Sequence, residues 1–297
     1  MTSSSAFDAL LDRVTAGGRL SAEELAVLAD APDILPLGML ADALRRRLRG
    51  TRVTYLRVAS CAFDQSFTEA VAPAAREVRI TGAPATLDVA VTAVGSARAV
   101  AGDRTVAGFT WSDINRMASA KDTDVSRALE ELRKAGLDAF AELPLDALPD
   151  AVIGVVVDAG FRQLRLTIES APAAERLALF ERASSLQDKH RCIEALNPLP
   201  TLLQAFRPTT GYADVKAVAL ARLAAPDIPS IQVDWSRYGP KLAQVALTFG
   251  ADDLDAVTAT DDAPDGRRRA PLEEVRRNIE TAGFTPAERD GRFTLLA

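Results

Sequence analysis

Phe161-Arg162-Gln163-Leu164-Arg165-Leu166-Thr167-Ile168-Glu169 reads as a strand, and Pro172 to Gln187 behind it reads as a helix whose proline suits the first helical position. Within the strand the leucines and the isoleucine share one face. Gln163, Arg165, Thr167 and Glu169 share the other, because side chains alternate along a strand. Working outward, the same alternation of strand and helix recurs. Val53–Val58, Glu77–Thr81, Thr105–Thr110, Leu137–Ala141 and Ile228–Trp235 are β-rich. Between them, Leu87–Val100, Asp124–Ala135 (with Gly136 at its C′ position), Asp146–Ala159 and Asp214–Leu223 are helical. Pro240 opens a further helix and Gly250 closes it. Strand–helix repeats over roughly 200 residues predict an α/β fold with a parallel sheet, a (β/α) barrel of the TIM type, closed or partial.

The first fifty residues read as helices. Ser21-Ala22-Glu23-Glu24 has the capping-box spacing, and a second amphipathic run, Leu37–Leu48, stops at Gly50. The expected organisation is a helical extension over 1–50, the barrel over 51–256, and an extension over 257–297 packed on it. Asn197–Gly211 and Thr258–Arg269 are the expected linkers. No GxGxxG or GxxxxGK[ST] follows a strand, which argues against a nucleotide-binding open sheet.

Composition narrows the function. Of 297 residues, 48% are hydrophobic, and 35 basic against 41 acidic side chains give a net charge of −6. That balance disfavours nucleic acid as a partner, and the runs Arg45-Arg46-Arg47-Leu48-Arg49 and Arg267-Arg268-Arg269 read as solvated faces or helix ends. No apolar run reaches the ~18–20 residues that cross a bilayer, and Met1–Phe7 lacks the basic start of a secretory signal, so a cytoplasmic protein is expected. Two cysteines, Cys61 and Cys192, and one histidine, His190, exclude a disulfide scaffold and a zinc site made of Cys and His alone. His190 ends a polar helix, where a cation is favoured. Asp252, Asp253 and Asp255 do not make a metal site, and the 261–272 stretch lacks the ligands of an EF-hand.

Polar residues on the strands point to a cavity. Glu77 and Arg79 flank Val78 and Ile80 as Arg165 and Glu169 flank their apolar neighbours, and Gln232 and Asp234 do the same around Val233. In a barrel these faces meet in the lumen. Arg79, Arg165, Glu169, Gln232 and Asp234, with Trp235 beside them, are therefore the candidate ligand-binding residues. The alternative is that the charges pair with one another across the lumen, since buried charges need partners in either case. Arg165 and Glu169 stand too far apart along one strand to pair with each other. Trp111 and Trp235 close two strands and either stack on a ligand or cap the core.

Several stretches follow one family in order. They are Gly50–Tyr55, Arg104–Ile114, Leu132–Asp138, Leu220–Leu223, Ile228–Trp235, Leu247–Asp255 and Ala282–Asp290. The chain resembles the radical S-adenosylmethionine (SAM) enzymes of the futalosine route to menaquinone, aminofutalosine synthase and dehypoxanthine futalosine cyclase, with deazaflavin synthase as a cousin. The resemblance covers nearly the whole length. It implies a radical-SAM barrel and, in active members, a [4Fe-4S] cluster on a Cys-x3-Cys-x2-Cys loop after the first strand.

Three departures accompany the resemblance. Leu56-Arg57-Val58-Ala59-Ser60-Cys61-Ala62-Phe63 keeps one cysteine, Cys61, as a relic of the cluster motif. One thiolate does not hold a cluster that needs three from the chain. Ala139-Phe140-Ala141-Glu142-Leu143-Pro144 replaces a glycine-rich SAM-binding segment, and at Leu166-Thr167-Ile168-Glu169 the family's histidine is missing while Glu169 matches. The expectation is a pseudoenzyme with no catalytic residue, no metal and no cluster or SAM. Its partner would be an active radical-SAM relative or another menaquinone-pathway protein, met through an apolar surface stripe. The alternative is a binding protein or cluster-independent enzyme that holds a carboxylated or nucleoside-like ligand in the lumen. There Arg79 and Arg165 would take the anion, and Glu169 and Asp234 the hydroxyls. An active radical-SAM enzyme would need cluster ligands from a partner.

Overall fold

The structure is a computed structural model that describes residues 4–200, 211–260 and 271–296. Helices α1 (Ser4–Ala16), α2 (Ala22–Asp30) and α3 (Leu35–Arg49) precede the sheet. The capping box forms as the spacing predicts: Ser21 Oγ accepts the Glu24 N–H at 3.2 Å, and the Ser21 N–H donates to the Glu24 carboxylate at 2.8 Å. Gly50, at φ +63°, ends α3 in a backbone region that glycine enters without steric cost.

Eight strand–helix steps follow. The first three are β1 (Arg52–Ala62) with α4 (Phe67–Ala70), β2 (Glu77–Thr81) with α5 (Leu87–Ala101), and β3 (Thr105–Thr110) with α6 (Trp111–Ala120) and α7 (Val125–Ala135). Next come β4 (Ala139–Pro144) with a 3-10 turn (Leu145–Ala147) and α8 (Ala151–Asp158), then β5 (Leu164–Ile168) with α9 (Ala173–His190). The last three are β6 (Ile193–Pro198) with α10 (Tyr212–Ala224), β7 (Ser230–Asp234) with α11 (Trp235–Leu247), and β8 (Asp253–Thr258) with α12 (Pro271–Thr281). Strand β9 (Thr285–Glu288) comes last. The predicted linkers fall largely on residues 201–210 and 261–270, outside the described residues, as do Arg267-Arg268-Arg269.

Strands β1 to β8 pair in sequence order, all parallel, and β1 also pairs with β2 from Val58↔Glu77 to Ala62↔Thr81. That pairing closes the ring, so the barrel is complete rather than partial. The apolar strand faces meet the helices: Leu166, Ile168, Val78 and Ile80 are buried there with Leu87, Val94, Leu129 and Phe180. Helix α11 breaks at Gly239, φ +71°, so Pro240 opens its second segment as expected.

The C-terminal stretch completes the floor. β9 pairs with the lower half of β1, Arg52↔Thr285 to Tyr55↔Glu288, on the edge whose upper half pairs with β2. Residues 289–296 then cross beneath the lumen. Gly291 is packed so closely that a Cβ there would stand 2.5 Å from Thr105 Cβ and 2.7 Å from Glu77 Oε2. Gln163 Nε2 donates to the Arg292 carbonyl at 2.9 Å from the barrel wall.

The basic run is the end of α3, as expected, with Arg46 and Arg47 exposed, but Arg45 departs from it. Arg45 is fully buried with its guanidinium 4.0 Å from the Phe284 ring centroid. Arg47 donates to the carbonyls of Thr15 and Ala16, and Arg49 to Pro229 O and Asp252. The run ties the N-terminal helices to the barrel.

Candidate functional site

The lumen carries three tiers of polar groups. At the floor, Asp253 receives both arms of Arg289, at 2.6 and 2.7 Å, the Gln232 amide at 2.7 Å, and the Thr54 hydroxyl. Asp253 and Arg289 are both buried, so this bidentate pair leaves no free charge. Gln232, a candidate ligand residue, is thereby committed to Asp253.

The middle tier is a closed ion-pair network. Glu77 accepts from Arg79 Nε at 2.9 Å and Nη2 at 2.7 Å, and from Arg165 Nη1 at 3.2 Å and Nη2 at 2.9 Å. Arg79 Nη2 also donates to both oxygens of Asp255, at 2.9 and 3.1 Å. Burial alone would raise the Asp255 carboxyl, but Arg79 and then Arg165 outweigh it and hold the group well below the usual carboxylate range. Two arginines and two carboxylates neutralise each other. Internal pairing, the alternative left open by the sequence, engages Arg79 and Arg165 with Glu77 and Asp255, while the buried Nε of Arg165 has no hydrogen-bond partner.

Among the described residues at the mouth, by the C-terminal strand ends, carboxylates outnumber cations. Glu142 on β4 meets Glu169, just past β5, side chain to side chain. Burial first, and this second carboxylate next, push the Glu142 carboxyl up to about 7. Arg237 on α11 bonds Glu142 and brings its Nε within 3.8 Å of Asp234. Asp234 ends β7 and caps α11: its Oδ1 accepts the Ser236 hydroxyl at 2.6 Å and the Arg237 N–H at 2.9 Å. Burial, then Asp255, raises its carboxyl. Thr167 and Asn197 are in register on β5 and β6, at 4% and 3% exposure, and Thr167 Oγ1 and Asn197 Oδ1 have no hydrogen-bond partner. Thr167 shares the face of Arg165, so both point inward. Across the lumen, Ser60 is in register with Arg79 and is exposed, so water reaches the mouth beside β1.

Not every expected residue lies there. Trp235 is the first residue of α11, buried in the apolar core, and Trp111, half-buried, begins α6 and packs against that core. His190 ends α9 as expected. Asp252 is paired with Arg49 and Arg222, so the three aspartates of this word each serve an arginine. Sequence reading passed over Asp255, Arg237, Thr167, Asn197 and Glu142 as a set. The one available signal for Arg237 is its place three residues after the helix-capping Asp234.

Both cysteines lie in or beside strands. β1 runs through the stretch that resembles the cluster loop and is hydrogen-bonded to β2 as far as Ala62. Cys61 is in register with Ile80, on the outward face, fully buried, and burial raises its thiol. Cys192 is buried just before the lower end of β6, so the two thiols stand at opposite ends of the barrel. Among the described residues no three His, Cys, Asp or Glu side chains are grouped to hold a metal ion.

Comparison with known proteins bears on this geometry. The sequence profile described as CofH/MqnC C-terminal region matches residues 197–296. A 5-amino-6-(D-ribitylamino)uracil--L-tyrosine 4-hydroxyphenyl transferase of Archaeoglobus fulgidus is 26% identical, the match covering 86% of this chain and 92% of that one. A cyclic dehypoxanthine futalosine synthase of Streptomyces coelicolor is 24% identical, covering 97% and 88%. An aminodeoxyfutalosine synthase of Thermus thermophilus is 25% identical, covering 96% and 94%. Among solved structures, methylornithine synthase (PylB) superposes with a TM-score of 0.66 at 16% identity, covering 94% of this chain and 97% of that one. The FeFe-hydrogenase maturase HydG from Carboxydothermus hydrogenoformans gives 0.69 at 13%, covering 97% and 81%. These two likenesses establish the fold.

Proposed function

We propose, from the premise that this chain is a member of the futalosine-route radical-SAM family, that it is a non-catalytic paralogue acting as a subunit or partner of an active relative or of another menaquinone-pathway protein. The observation that carries this reading is the unbroken β1 strand. Where a cluster loop would need freely placed thiolates, the backbone is committed to the sheet and Cys61 faces away from the lumen. A cluster bound through three cysteines has no counterpart in a chain with two. The filled lumen supports the same reading, because its arginines are already neutralised by Glu77 and Asp255.

A partner needs a surface, and the N-terminal helices offer one. Leu35 and Met39, one turn apart on α3, are 65% and 56% exposed, and Val27 on α2 is 60% exposed. No core contact accounts for apolar side chains left in water at helical spacing. Among the described residues no helix is long and apolar enough to cross a membrane.

Two measurements test the reading. After anaerobic reconstitution with iron and sulfide, the chain should hold no stoichiometric iron, and about four irons per chain would overturn the proposal. Expressed with a tag in its native host under anaerobic conditions, it should recover an intact radical-SAM relative or another menaquinone-pathway protein in fixed ratio. A monodisperse monomer that recovers neither removes the subunit role. A second reading, small-molecule binding in the barrel, is favoured by the mouth alone, since the arginines expected to hold a carboxylated ligand are occupied.

A further inference from the structure

The floor of the barrel, opposite the mouth, carries an open cavity of about 330 Å³ between the starts of β3, β4 and β5 and the C-terminal stretch that crosses beneath them. Three arginines from separate parts of the chain line it: Arg133 from the last turn of α7, Arg162 from the loop before β5, and Arg292 from the C-terminal stretch. Among the described residues none of the three is paired with a carboxylate, and the only carboxylate in the lining is Asp138. Asp138 spends Oδ2 on Arg98 and on the Val106 N–H, the latter at 2.9 Å. Three uncompensated positive charges thus gather in one cavity of a chain whose net charge is −6.

Their donors are free as well. Arg133 gives Nη1 to the Leu137 carbonyl at 3.2 Å, as expected of an arginine at a helix C-terminus. Its other edge, Nε with Nη2, runs past Gly160, where a Cβ would stand 3.7 and 3.8 Å from those atoms, and binds no described protein group. That edge is the fork by which a guanidinium takes two oxygens of one anion. The backbone of Arg292 is fixed on both sides: its carbonyl accepts from Gln163 Nε2 at 2.9 Å, and its N–H donates to Asp290 Oδ1 at 2.8 Å. Thr105, also in the lining, is 2% exposed, and its Oγ1 has no partner. A solvated surface accounts for exposed Arg162 and Arg292, but not for an orphaned, buried hydroxyl beside them.

We propose that this cavity binds a phosphate-type oxyanion, free or as the monoester of a small molecule. Arg133 takes two oxygens through Nε and Nη2, Arg162 and Arg292 neutralise the charge from the rim, and Thr105 donates to the oxygen that reaches deepest. A tetrahedral dianion offers an acceptor to each of these groups, whereas a carboxylate has two oxygens and one charge. The acceptors left in the lining, Asp138 Oδ1 and Gln163 Oε1, suit the proton of a phosphate monoanion or the hydroxyls of the ester. The cavity lies at the opposite end of the barrel from the cluster-loop stretch, so the inference stands apart from whether the chain holds iron.

Inorganic phosphate is the probe, titrated at pH 6.5 into the full chain labelled with nitrogen-15 at arginine, with sodium chloride holding the ionic strength constant. It should shift the Nε–H signals of Arg133, Arg162 and Arg292 along one saturating curve, with Kd about 1 mM or below. Arg162→Ala combined with Arg292→Ala, both exposed, should weaken binding by about tenfold or more, and Arg133→Lys should weaken it because the charge is kept and the fork is lost. Thr105→Val deletes a hydroxyl that no protein group uses, so it should weaken binding at unchanged Tm. Glycerol 3-phosphate separates the sources: tighter binding than phosphate assigns the ester, and equal or weaker binding assigns free phosphate. Signals that do not saturate below about 10 mM phosphate, that move equally with acetate or chloride, or that saturate unchanged in the double variant overturn the site.

Discussion

Glu77→Gln is the sharpest perturbation of the lumen. Glu77 is fully buried and accepts four hydrogen bonds, two from Arg79 and two from Arg165. The isosteric amide keeps the shape and removes the charge, leaving Asp255 as the nearest carboxylate for two buried guanidinium groups. Asp255 reaches Arg165 only at 4.0 Å, so Arg165, itself 2% exposed at its side chain, is left without a close counter-charge. Removing one partner of a buried pair costs about 3–5 kcal/mol. For a chain of 297 residues the unfolding entropy is about 0.6 kcal/mol per kelvin, so Tm falls by about 5–8 °C. Urea and thermal unfolding, followed by circular dichroism, measure both. Glu77→Gln combined with Arg165→Met restores charge balance around the surviving Arg79–Asp255 pair and should recover more than half of the loss. A single variant within about 1 kcal/mol of wild type, or a double variant no better than the single, refutes the network as drawn.

Other outcomes test the rest of the structure. Native Cys61 and Cys192 should resist iodoacetamide at pH 8 and react only on unfolding, since both are buried and burial raises both thiols; labelling at the rate of a free thiol places Cys61 at the surface. Gly291→Ala should cost about 1–3 kcal/mol by lifting the C-terminal stretch off Thr105 and Glu77, read as a lower urea midpoint, and an unchanged midpoint would mean that the floor is not closed there. Glu142 tests the pH dependence of stability. With the carboxyl raised from 4.5 to about 7, the folded chain holds a proton the unfolded chain has lost, so stability falls as pH rises through that window. Glu142→Gln lacks that slope and should gain on wild type between pH 5 and pH 8; a gap that does not move with pH removes the shared proton.

Most of the fold was legible because its signals are local. The Ser21 cap, the Gly50 and Gly136 stops, and the strands Glu77–Thr81 and Thr105–Thr110 depend on residues within a few positions of each other, and the structure has them where expected. Strand β8 was hidden because Asp253-Leu254-Asp255 is unfavourable for a strand in isolation. Its aspartates are tolerated only because Arg289 and Arg79 arrive from 36 and 176 residues away. The candidate site shows the same division. Alternation placed Arg79, Arg165 and Gln232 in the lumen, but alternation is silent on partners, and partners decide whether a buried arginine is free to hold a ligand. The acidic mouth was missed for that reason: Glu142, Asp234 and Arg237 form a group only after β4 and β7 are curved onto one rim.

Those long-range partners also bear on which stretches of the chain resemble its relatives. Leu247–Asp255 and Ala282–Asp290 are two of the stretches that resemble the family, and in space they are one device. Asp253 of the first takes both arms of Arg289 of the second, and Phe284 of the second lies under Arg45 of α3. Asp252 of the first binds Arg49 and Arg222, fastening α3 and α10 to the same floor. Loss of any one member leaves a buried charge without its partner, a penalty of several kcal/mol against a total stability of about 5–15 kcal/mol. These words answer to folding. The stretch from Leu56 to Phe63 joins the same device through Arg57, which is buried and donates to Glu288 at 2.8 Å, while Cys61 serves as a small buried apolar side chain. The stretches that resemble the family and the buried ion pairs therefore coincide from α3 to β9, and Arg57 is the point at which β1 is tied to them.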